Sequence, residues 1–204
     1  MASDISPRAV AHAEPLVDLC RRIEDADALR AALRERWPLS LGEYLRRDRE
    51  ANTPGGWKRR LSVLAFRLKW YPVHYGKGRL WRVLGKLFSL AMTYVLIHEV
   101  PVPGVFIGPG LKLPHGWSNI YLHHNAILGE NVTLFQDVMI GENAGPPPVG
   151  TLVVGDGAVI ARGASIFGAC RVGDGSLVGA HALLVNTNTG PGEVWGSPLA
   201  TRLR

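Results

Sequence analysis

The chain has 204 residues, of which 47% are hydrophobic and 20% are charged, and these proportions are typical of one or two globular domains. The formal net charge of +6 belongs to the first half, because residues 1–100 hold 18 of the 23 basic residues and 11 of the 17 acidic ones. The first residues do not resemble a signal peptide, and no apolar run reaches the roughly 20 residues that a membrane span requires. Cys20 and Cys170 belong to no motif and indicate no disulfide scaffold, so we expect a cytoplasmic protein.

Helical patterns dominate the first hundred residues. Apolar residues recur at nearly helical spacing over about 15–36, which predicts one amphipathic helix there. The segment Ser40–Glu43 has capping-box spacing and predicts a second helix that runs through about Ala51. After a break that contains Pro and Gly, the apolar spacing predicts a third helix around 61–68 and a fourth over about 79–98.

From about residue 102 onward the sequence has a period of six. An aliphatic residue recurs at every sixth position, Gly often follows it, and a small or slim residue usually lies four positions after it. This period is neither helical nor that of a plain strand, because it requires a chain that turns a corner after each short strand. Three such sides close a triangular coil, and about four stacked coils would bury one column of aliphatic side chains. The aliphatic positions are Ile107, Leu113, Leu122, Leu128, Leu134, Ile140, Val154, Ile160, Ile166, Val172, Val178 and Leu184.

Two insertions interrupt the period, and insertions in a solenoid form surface loops on which sites are built. The first insertion lies between Leu113 and Leu122 and contains His115, Trp117 and Asn119. Asn119 is a candidate substrate contact. The Trp117 side chain has two possible roles, since it either packs against a substrate or anchors the loop.

The second insertion lies between Ile140 and Val154 and begins with Glu142 and Asn143. The run Pro146–Gly150 within it indicates an irregular loop. Glu142 and Asn143 are therefore further candidate contacts of a substrate.

Two stretches of the repeat resemble the catalytic face of the serine acetyltransferases, which belong to the left-handed β-helix (hexapeptide-repeat) acyltransferases. The stretches are Ile107-Gly-Pro-Gly-Leu-Lys-Leu-Pro-His115-Gly and Ile120-Tyr-Leu-His-His-Asn-Ala-Ile-Leu-Gly-Glu-Asn-Val-Thr-Leu-Phe-Gln136. The ending Trp195–Ala200 resembles the Gly-Asn-Pro-Ala that closes chains of the family. The resemblance covers about 100–204 and implies an α+β fold. That fold has a helical region over 1–100, a left-handed parallel β-helix over 101–190 and a C-terminal extension over 191–204.

The resemblance implies transfer of an acetyl group from acetyl-CoA to a hydroxyl, with His115 as the general base. A hydroxyl attacks a thioester poorly until a base takes its proton, and an imidazole titrates near working pH. Acetyl-CoA would lie in the groove between two neighbouring β-helices, so the resemblance also implies a homotrimer or a dimer of trimers. The pantetheine arm would meet the later coils, chiefly at Ala161, Arg162, Gly179 and Ala180.

The chain departs from the family at positions that concern serine and the imidazole. The Asp that orients the catalytic imidazole in the family is replaced by Val100, and the adjacent Glu99 is the candidate substitute. The Asp that precedes the catalytic His, and is linked to the amino-acid substrate, is replaced by Pro114, and Asn119 stands where some relatives have Gly. A second His of the family's later loop is also missing. We therefore expect O-acetylation of an acceptor other than free serine, such as a sugar or a secondary metabolite, with a divergent serine acetyltransferase as the alternative.

Two functions of other classes remain open. His123 and His124 allow a zinc lyase of the γ-carbonic anhydrase type, which binds zinc through three His between subunits. Adjacent residues of a strand point to opposite faces, so this pair is not expected to chelate one ion, and we expect no metal. The other alternative is a non-catalytic scaffold built on a β-helix trimer, and a scaffold of that kind would not bind CoA.

The basic stretch 58–86 contains no acidic residue. Its aromatic residues allow contact with an anionic membrane surface, although solvated helix faces that pack between subunits account equally well for the stretch. No recognised nucleic-acid-binding module accompanies the charge, so we do not expect binding to nucleic acid.

Overall fold

The computed structural model describes residues 14–53, 56–76, 79–80, 83–84, 86–88, 90, 104–143, 145 and 148–197. Glu99 and most of the fourth predicted helix lie outside these residues, and the described residues between 79 and 90 are helical. Within the described part of the chain, no helix is long and apolar enough to cross a membrane.

Among residues 14–76, the described chain forms four helices: α1 (Leu16–Arg22), α2 (Ala26–Arg36), α3 (Leu41–Ala51) and α4 (Trp57–His74). The capping signal of α3 is confirmed, because the Ser40 side chain accepts a hydrogen bond from the N–H of Glu43 at 3.2 Å. The single helix predicted over 15–36 is wrong. The backbone is extended at Ile23, and Asp25 begins a new helix by accepting a hydrogen bond from the N–H of Ala28 at 2.7 Å.

The strands form three parallel sheets of four strands each. The first sheet contains β1 (Phe106–Ile107), β3 (Ile127–Leu128), β6 (Val153–Val154) and β9 (Arg171–Val172). The second contains β4 (Thr133–Leu134), β7 (Val159–Ile160), β10 (Leu177–Val178) and β12 (Val194–Trp195). The third contains β2 (Tyr121–Leu122), β5 (Met139–Gly141), β8 (Ser165–Phe167) and β11 (Leu183–Val185). Consecutive strands lie in different sheets, so each coil has three sides and the sheets form the walls of a prism.

The twelve aliphatic positions of the six-residue period all point into this prism. Each of them is at most 4% exposed, which confirms the triangular coil that the period predicted. The small residues that lie four positions later are buried at the corners, as Ala158 and Ala164 illustrate. Because each strand from β1 to β11 contributes one aliphatic side chain to the same column, the core runs without interruption from the first of these strands to the last.

The helices and the coils share one hydrophobic core, which extends from Leu16 of α1 to Leu184 of β11. The ring of Trp37, just after α2, stacks on Phe106 of β1 with ring centroids 5.8 Å apart. The indole N–H of Trp70 in α4 donates to the carbonyl oxygen of Val105 at 2.6 Å. The helices therefore cover the first coil of the prism.

The C-terminal extension predicted from residue 191 continues the parallel sheets instead of leaving them. Val194 and Trp195 of β12 pair with Leu177 and Val178 of β10. The six-residue period ends before these residues, but their backbone groups still complete the second sheet, so the coil runs past the predicted boundary at residue 190.

Candidate active site

The first insertion places His115 on the outside of the first coil. The His115 side chain is exposed, and its ring centroid lies 6.1 Å from that of Phe135. The turn is closed by Gly116, which has a φ of 65° and whose N–H donates to the carbonyl oxygen of Leu113 at 3.1 Å. The hydroxyl of Ser118 donates to the carbonyl oxygen of His115 at 2.7 Å. An exposed imidazole on a loop that is hydrogen-bonded in this way is accessible to the hydroxyl of a bound molecule.

Trp117 lies inside the protein, although it belongs to the same loop. It is 1% exposed, and its ring centroid is 5.0 Å from that of Phe66 in α4. Its indole N–H donates to the carbonyl oxygen of Ser62, also in α4, at 3.2 Å. These are the contacts of a loop anchor. The prediction that Trp117 contacts a substrate is therefore wrong, because almost none of its surface is accessible, and its alternative role as the anchor of the loop is the one observed.

The edge between the second and third sheets is marked by a column of residues in the left-handed region. The N–H groups of Asp137, Gly163 and His181 each donate to a carbonyl oxygen of the preceding coil, at 3.1, 3.1 and 2.9 Å. These residues therefore occupy equivalent corners of successive coils, and the His115 loop stands at one end of the column. The corner residues are Asn119, Asp137, Gly163 and His181, with φ of 53°, 63°, 68° and 57°.

The predicted coenzyme contacts lie along this same edge, next to the corner residues of the later coils. They are Ala161, Arg162, Gly179 and Ala180. The N–H groups of Ala161 and Gly179 are already used, because they donate to carbonyl oxygens of the following coil at 2.8 and 2.6 Å. A molecule bound on this edge would therefore contact the exposed residues Arg162 and Ala180 rather than these two N–H groups.

Asp137 is a further polar residue of this edge, and the sequence pattern did not single it out. One carboxylate oxygen accepts a hydrogen bond from the Asn119 side chain at 3.1 Å, and the other lies 3.5 Å from Nε of Arg162. Asp137 thus connects a predicted substrate contact with a predicted coenzyme contact. The signal that would have found it is its spacing of 18 residues from Asn119, which is one full coil.

Glu142 and Asn143 lie at the opposite edge of the third sheet. Both follow β5, whereas His115 precedes β2 in the same sheet. Both residues are exposed. The width of the third sheet therefore separates them from His115, and the structure does not bring the two insertions together within one chain.

His123 and His124 lie at the corner that follows β2. The expectation that their rings point to opposite faces is wrong, since the ring centroids are 4.1 Å apart. The reason is that β2 ends at Leu122, so strand alternation does not extend to the corner. Burial, together with the neighbouring His124, lowers the pKa of His123, and the Glu142 carboxylate acts in the opposite direction. Among the described residues, no three His, Cys, Asp or Glu side chains are grouped as metal ligands.

Comparison with known proteins finds serine acetyltransferases among both the curated relatives and the solved structures. No protein-family model matches the chain. The serine acetyltransferase of Bacillus subtilis (strain 168) is 28% identical over 130 residues, which are 64% of this chain and 54% of that protein. The soybean serine acetyltransferase apoenzyme superposes with a TM-score of 0.62 at 20% identity, over 94% of this chain and 81% of that chain. The chain is thus similar to serine acetyltransferases in sequence and in fold.

The solved structures establish the fold of this serine acetyltransferase-like chain. A serine acetyltransferase in complex with CoA gives a TM-score of 0.58 at 20% identity, over 86% of this chain and 76% of that chain. The α+β class with a left-handed parallel β-helix, which the resemblance implied, is thereby confirmed. The chain spans about half the length of the curated relatives it matches, 54% in the case of the Bacillus subtilis protein.

Proposed function

We propose that this serine acetyltransferase-like chain is an acetyl-CoA-dependent O-acetyltransferase in which His115 is the general base. The observation that carries the proposal is the similarity to a serine acetyltransferase over 64% of the chain. The exposure of His115, at one end of the edge that carries Arg162 and Ala180, supports it.

In the proposed reaction, the neutral imidazole of His115 accepts the proton of the acceptor hydroxyl as the oxygen attacks the thioester carbonyl carbon. The tetrahedral intermediate then collapses, the carbon–sulfur bond breaks, and the leaving CoA sulfur takes the proton back from the imidazolium. One ester and one free thiol form, and the imidazole returns to its neutral state. Glu99 is proposed as the residue that orients the imidazole.

The donor is proposed to lie along the edge between the second and third sheets. The structural likeness to a serine acetyltransferase that binds CoA supports acetyl-CoA as the donor. Arg162 is exposed on this edge and carries the charge that suits a phosphate-bearing molecule, although it also lies near the Asp137 carboxylate. The carbonyl oxygens of Ala161 and Gly179 each accept one hydrogen bond, from the N–H groups of Ala164 and Ala182, and their second lone pairs are the proposed acceptors of pantetheine N–H groups.

L-Serine is the acceptor to be tested first, because the relatives are serine acetyltransferases. Asn119, Glu142 and Asn143 are proposed acceptor contacts. A non-amino-acid alcohol, such as a sugar, is the second candidate. It is favoured by Pro114, which offers no carboxylate to an ammonium group at the position before the base.

A homotrimer is the proposed assembly, because the outward face of the third sheet is apolar and exposed. Its exposed side chains include Tyr121, Met139, Leu183 and Val185. An apolar face of this extent is typical of a protein–protein contact. His115 lies beside one edge of the third sheet, and Glu142 lies beside the other edge. If three copies packed their third sheets around a three-fold axis, Glu142 of one copy would lie near His115 of the next. In that arrangement the two insertions would form one site.

The test of the function is release of free thiol from acetyl-CoA in the presence of L-serine, homoserine, sugars or nucleotide sugars. The variant His115→Ala should lower turnover by about 10²–10⁴-fold, with the oligomer intact by light scattering. His115→Gln keeps a polar side chain of similar size but provides no base, so it should be equally impaired. Turnover like that of the wild type in either variant would remove the proposed role of His115. Failure of the wild type to bind CoA would instead favour a scaffold.

A further inference from the structure

The helical hairpin formed by α3 and α4 makes hydrogen bonds to both ends of the His115 loop. We infer that Asn52, the residue after α3, is a positioning residue that holds this loop in its catalytic place. The inference rests on the proposed function, because it assigns to Asn52 a role in the reaction of His115. It concerns contacts between the helical part and the first coil that no sequence pattern indicated.

The Asn52 carboxamide pairs with the backbone that leads into the loop. Asn52 is 1% exposed, and its Oδ1 accepts a hydrogen bond from the N–H of Leu113 at 2.9 Å. Its Nδ2 donates to the carbonyl oxygen of Leu111 at 2.8 Å and to that of Asp48 at 2.8 Å. One side chain thus provides the donor and the acceptor that a neighbouring strand would provide.

The segment that Asn52 contacts has a further coil on one side only. The N–H of Lys112 donates to the carbonyl oxygen of Val132 at 2.9 Å, and the carbonyl oxygen of Lys112 accepts from the N–H of Leu134 at 3.0 Å. Leu111 and Leu113, on either side of Lys112, direct backbone groups away from that coil and toward Asn52. Buried backbone groups without partners are costly, so Asn52 closes the open end of the solenoid at this point.

The residues just before this segment are bonded to the same hairpin through Asp48. Its Oδ1 accepts hydrogen bonds from the N–H groups of Gly110 and Leu111 at 2.8 and 3.0 Å. Arg67 of α4 donates to Asp48 and also to the carbonyl oxygens of Ile107 and Gly108, at 2.8 and 2.6 Å. The segment of chain that leads into the His115 loop is therefore hydrogen-bonded to the hairpin from residue 107 to residue 113.

The far end of the loop is held by the same hairpin. Trp117 is buried against Phe66, and its indole N–H donates to Ser62, as described above. His115 thus lies between two residues, Leu113 and Trp117, whose positions are both set by α3 and α4. The later coils, which carry Arg162 and Ala180, do not contact Asn52 through any hydrogen bond of the described residues.

This geometry predicts how Asn52→Ala divides its effect between the kinetic constants. A displacement of about 1 Å at the base is enough to cost roughly 10²-fold in rate, so kcat should fall by about 10- to 100-fold. The KM for acetyl-CoA should stay within about twofold of the wild type, because the proposed coenzyme contacts lie two and three coils away. Thr53→Ala is the matched control, since it removes a helix-terminal hydrogen bond to Arg49 that does not reach the coil.

A second variant keeps the test decisive if Asn52→Ala does not fold. Trp117→Phe preserves an aromatic ring against Phe66 and removes the hydrogen bond to Ser62, so a smaller loss of kcat with an unchanged KM for acetyl-CoA is expected. Unchanged kcat in a folded Asn52→Ala, measured well below its unfolding temperature, would overturn the inference. A loss shared equally with Thr53→Ala would also overturn it.

A direct observation of the loop separates this inference from the proposed function. The His115 ring signals in NMR spectra should shift in Asn52→Ala and remain in place in Thr53→Ala, and hydrogen exchange at the Leu113 amide should become faster in Asn52→Ala alone. If the wild type releases no thiol with any acceptor, the proposed function fails, and these two readouts still decide whether Asn52 positions His115. Unchanged ring signals and unchanged exchange at Leu113 would refute the positioning role.

Discussion

Replacing Asp48 by Ala should remove the carboxylate on which the contact between helices and coils depends. Asp48 is 2% exposed and Arg67 is fully buried, and the carboxylate receives Nε and Nη2 of Arg67 at 2.6 and 3.2 Å. It also receives the N–H groups of Gly110 and Leu111. The variant would leave a buried guanidinium without its counter-ion and two buried N–H groups without acceptors.

The expected loss follows from that burial. Removing one partner of a buried ion pair costs about 3–5 kcal/mol, because the remaining charge stays in a medium that solvates it poorly. For a chain of this size, that loss corresponds to a fall of about 6–20 °C in the unfolding temperature. The two carbonyl oxygens of Ile107 and Gly108 would still accept from Arg67, so they moderate the loss without removing it.

The assay is thermal and urea unfolding followed by circular dichroism at a fixed protein concentration, since oligomers unfold in a concentration-dependent way. Glu43→Ala is the control, because the Glu43–Arg46 pair is exposed and exposed pairs contribute only about 0–1 kcal/mol. An Asp48→Ala variant that loses no more stability than Glu43→Ala would refute the reasoning. The double variant Asp48→Leu/Arg67→Met should be more stable than Asp48→Ala, because it leaves no buried charge unpaired.

Two further predictions concern the coil. Gly155→Ala should lower the free energy of unfolding by about 1–3 kcal/mol, because its Cβ would lie 2.7 Å from the backbone nitrogen of Asp174 in the next coil. Gly196→Ala meets no atom within 4 Å and should stay within about 0.5 kcal/mol of the wild type in the same urea titration. Burial is the main reason that the pKa of His123 is lowered in the folded state. The unfolded state therefore binds a proton at His123 more readily than the folded state does. The stability that the neutral imidazole contributes is complete above the ordinary pKa of about 6.5 and is lost as the pH falls. Urea unfolding between about pH 7.5 and pH 5 should therefore show a steeper acid-side loss in the wild type than in His123→Gln, and equal slopes would contradict this account.

The coil could be predicted from the sequence because its rule is local. Each aliphatic residue of the period points inward as a consequence of where it lies on its own three-sided turn, and all twelve are buried. The capping signal of α3 was equally local, since Ser40 and Glu43 are three residues apart. The error at α1 and α2 was also local. Asp25 carries a capping signal of its own, which the apolar spacing over 15–36 obscured.

The candidate site was predicted only in part, because its residues are brought together by coil stacking and by helix packing. The period places Asn119, Arg162 and Ala180 on the edge at whose end the His115 loop stands, so this shared edge follows from counting residues. The location of Trp117 does not follow from counting, since it depends on the packing of α4 against the loop. The close approach of the His123 and His124 rings depends on the fact that β2 ends at Leu122, and the six-residue period does not fix the last residue of a strand.

The sequence by itself determined the three-sided coil and the two insertions, including the loop that carries His115, because a repeat of one third of a turn sets the direction of each side chain within the period. Only the tertiary structure decided what holds His115 there. Asn52 and Leu113 are 61 residues apart, so no local sequence pattern can relate them. Their contact exists because one amide satisfies two backbone groups at the open end of the first coil, and only the folded chain brings those groups together.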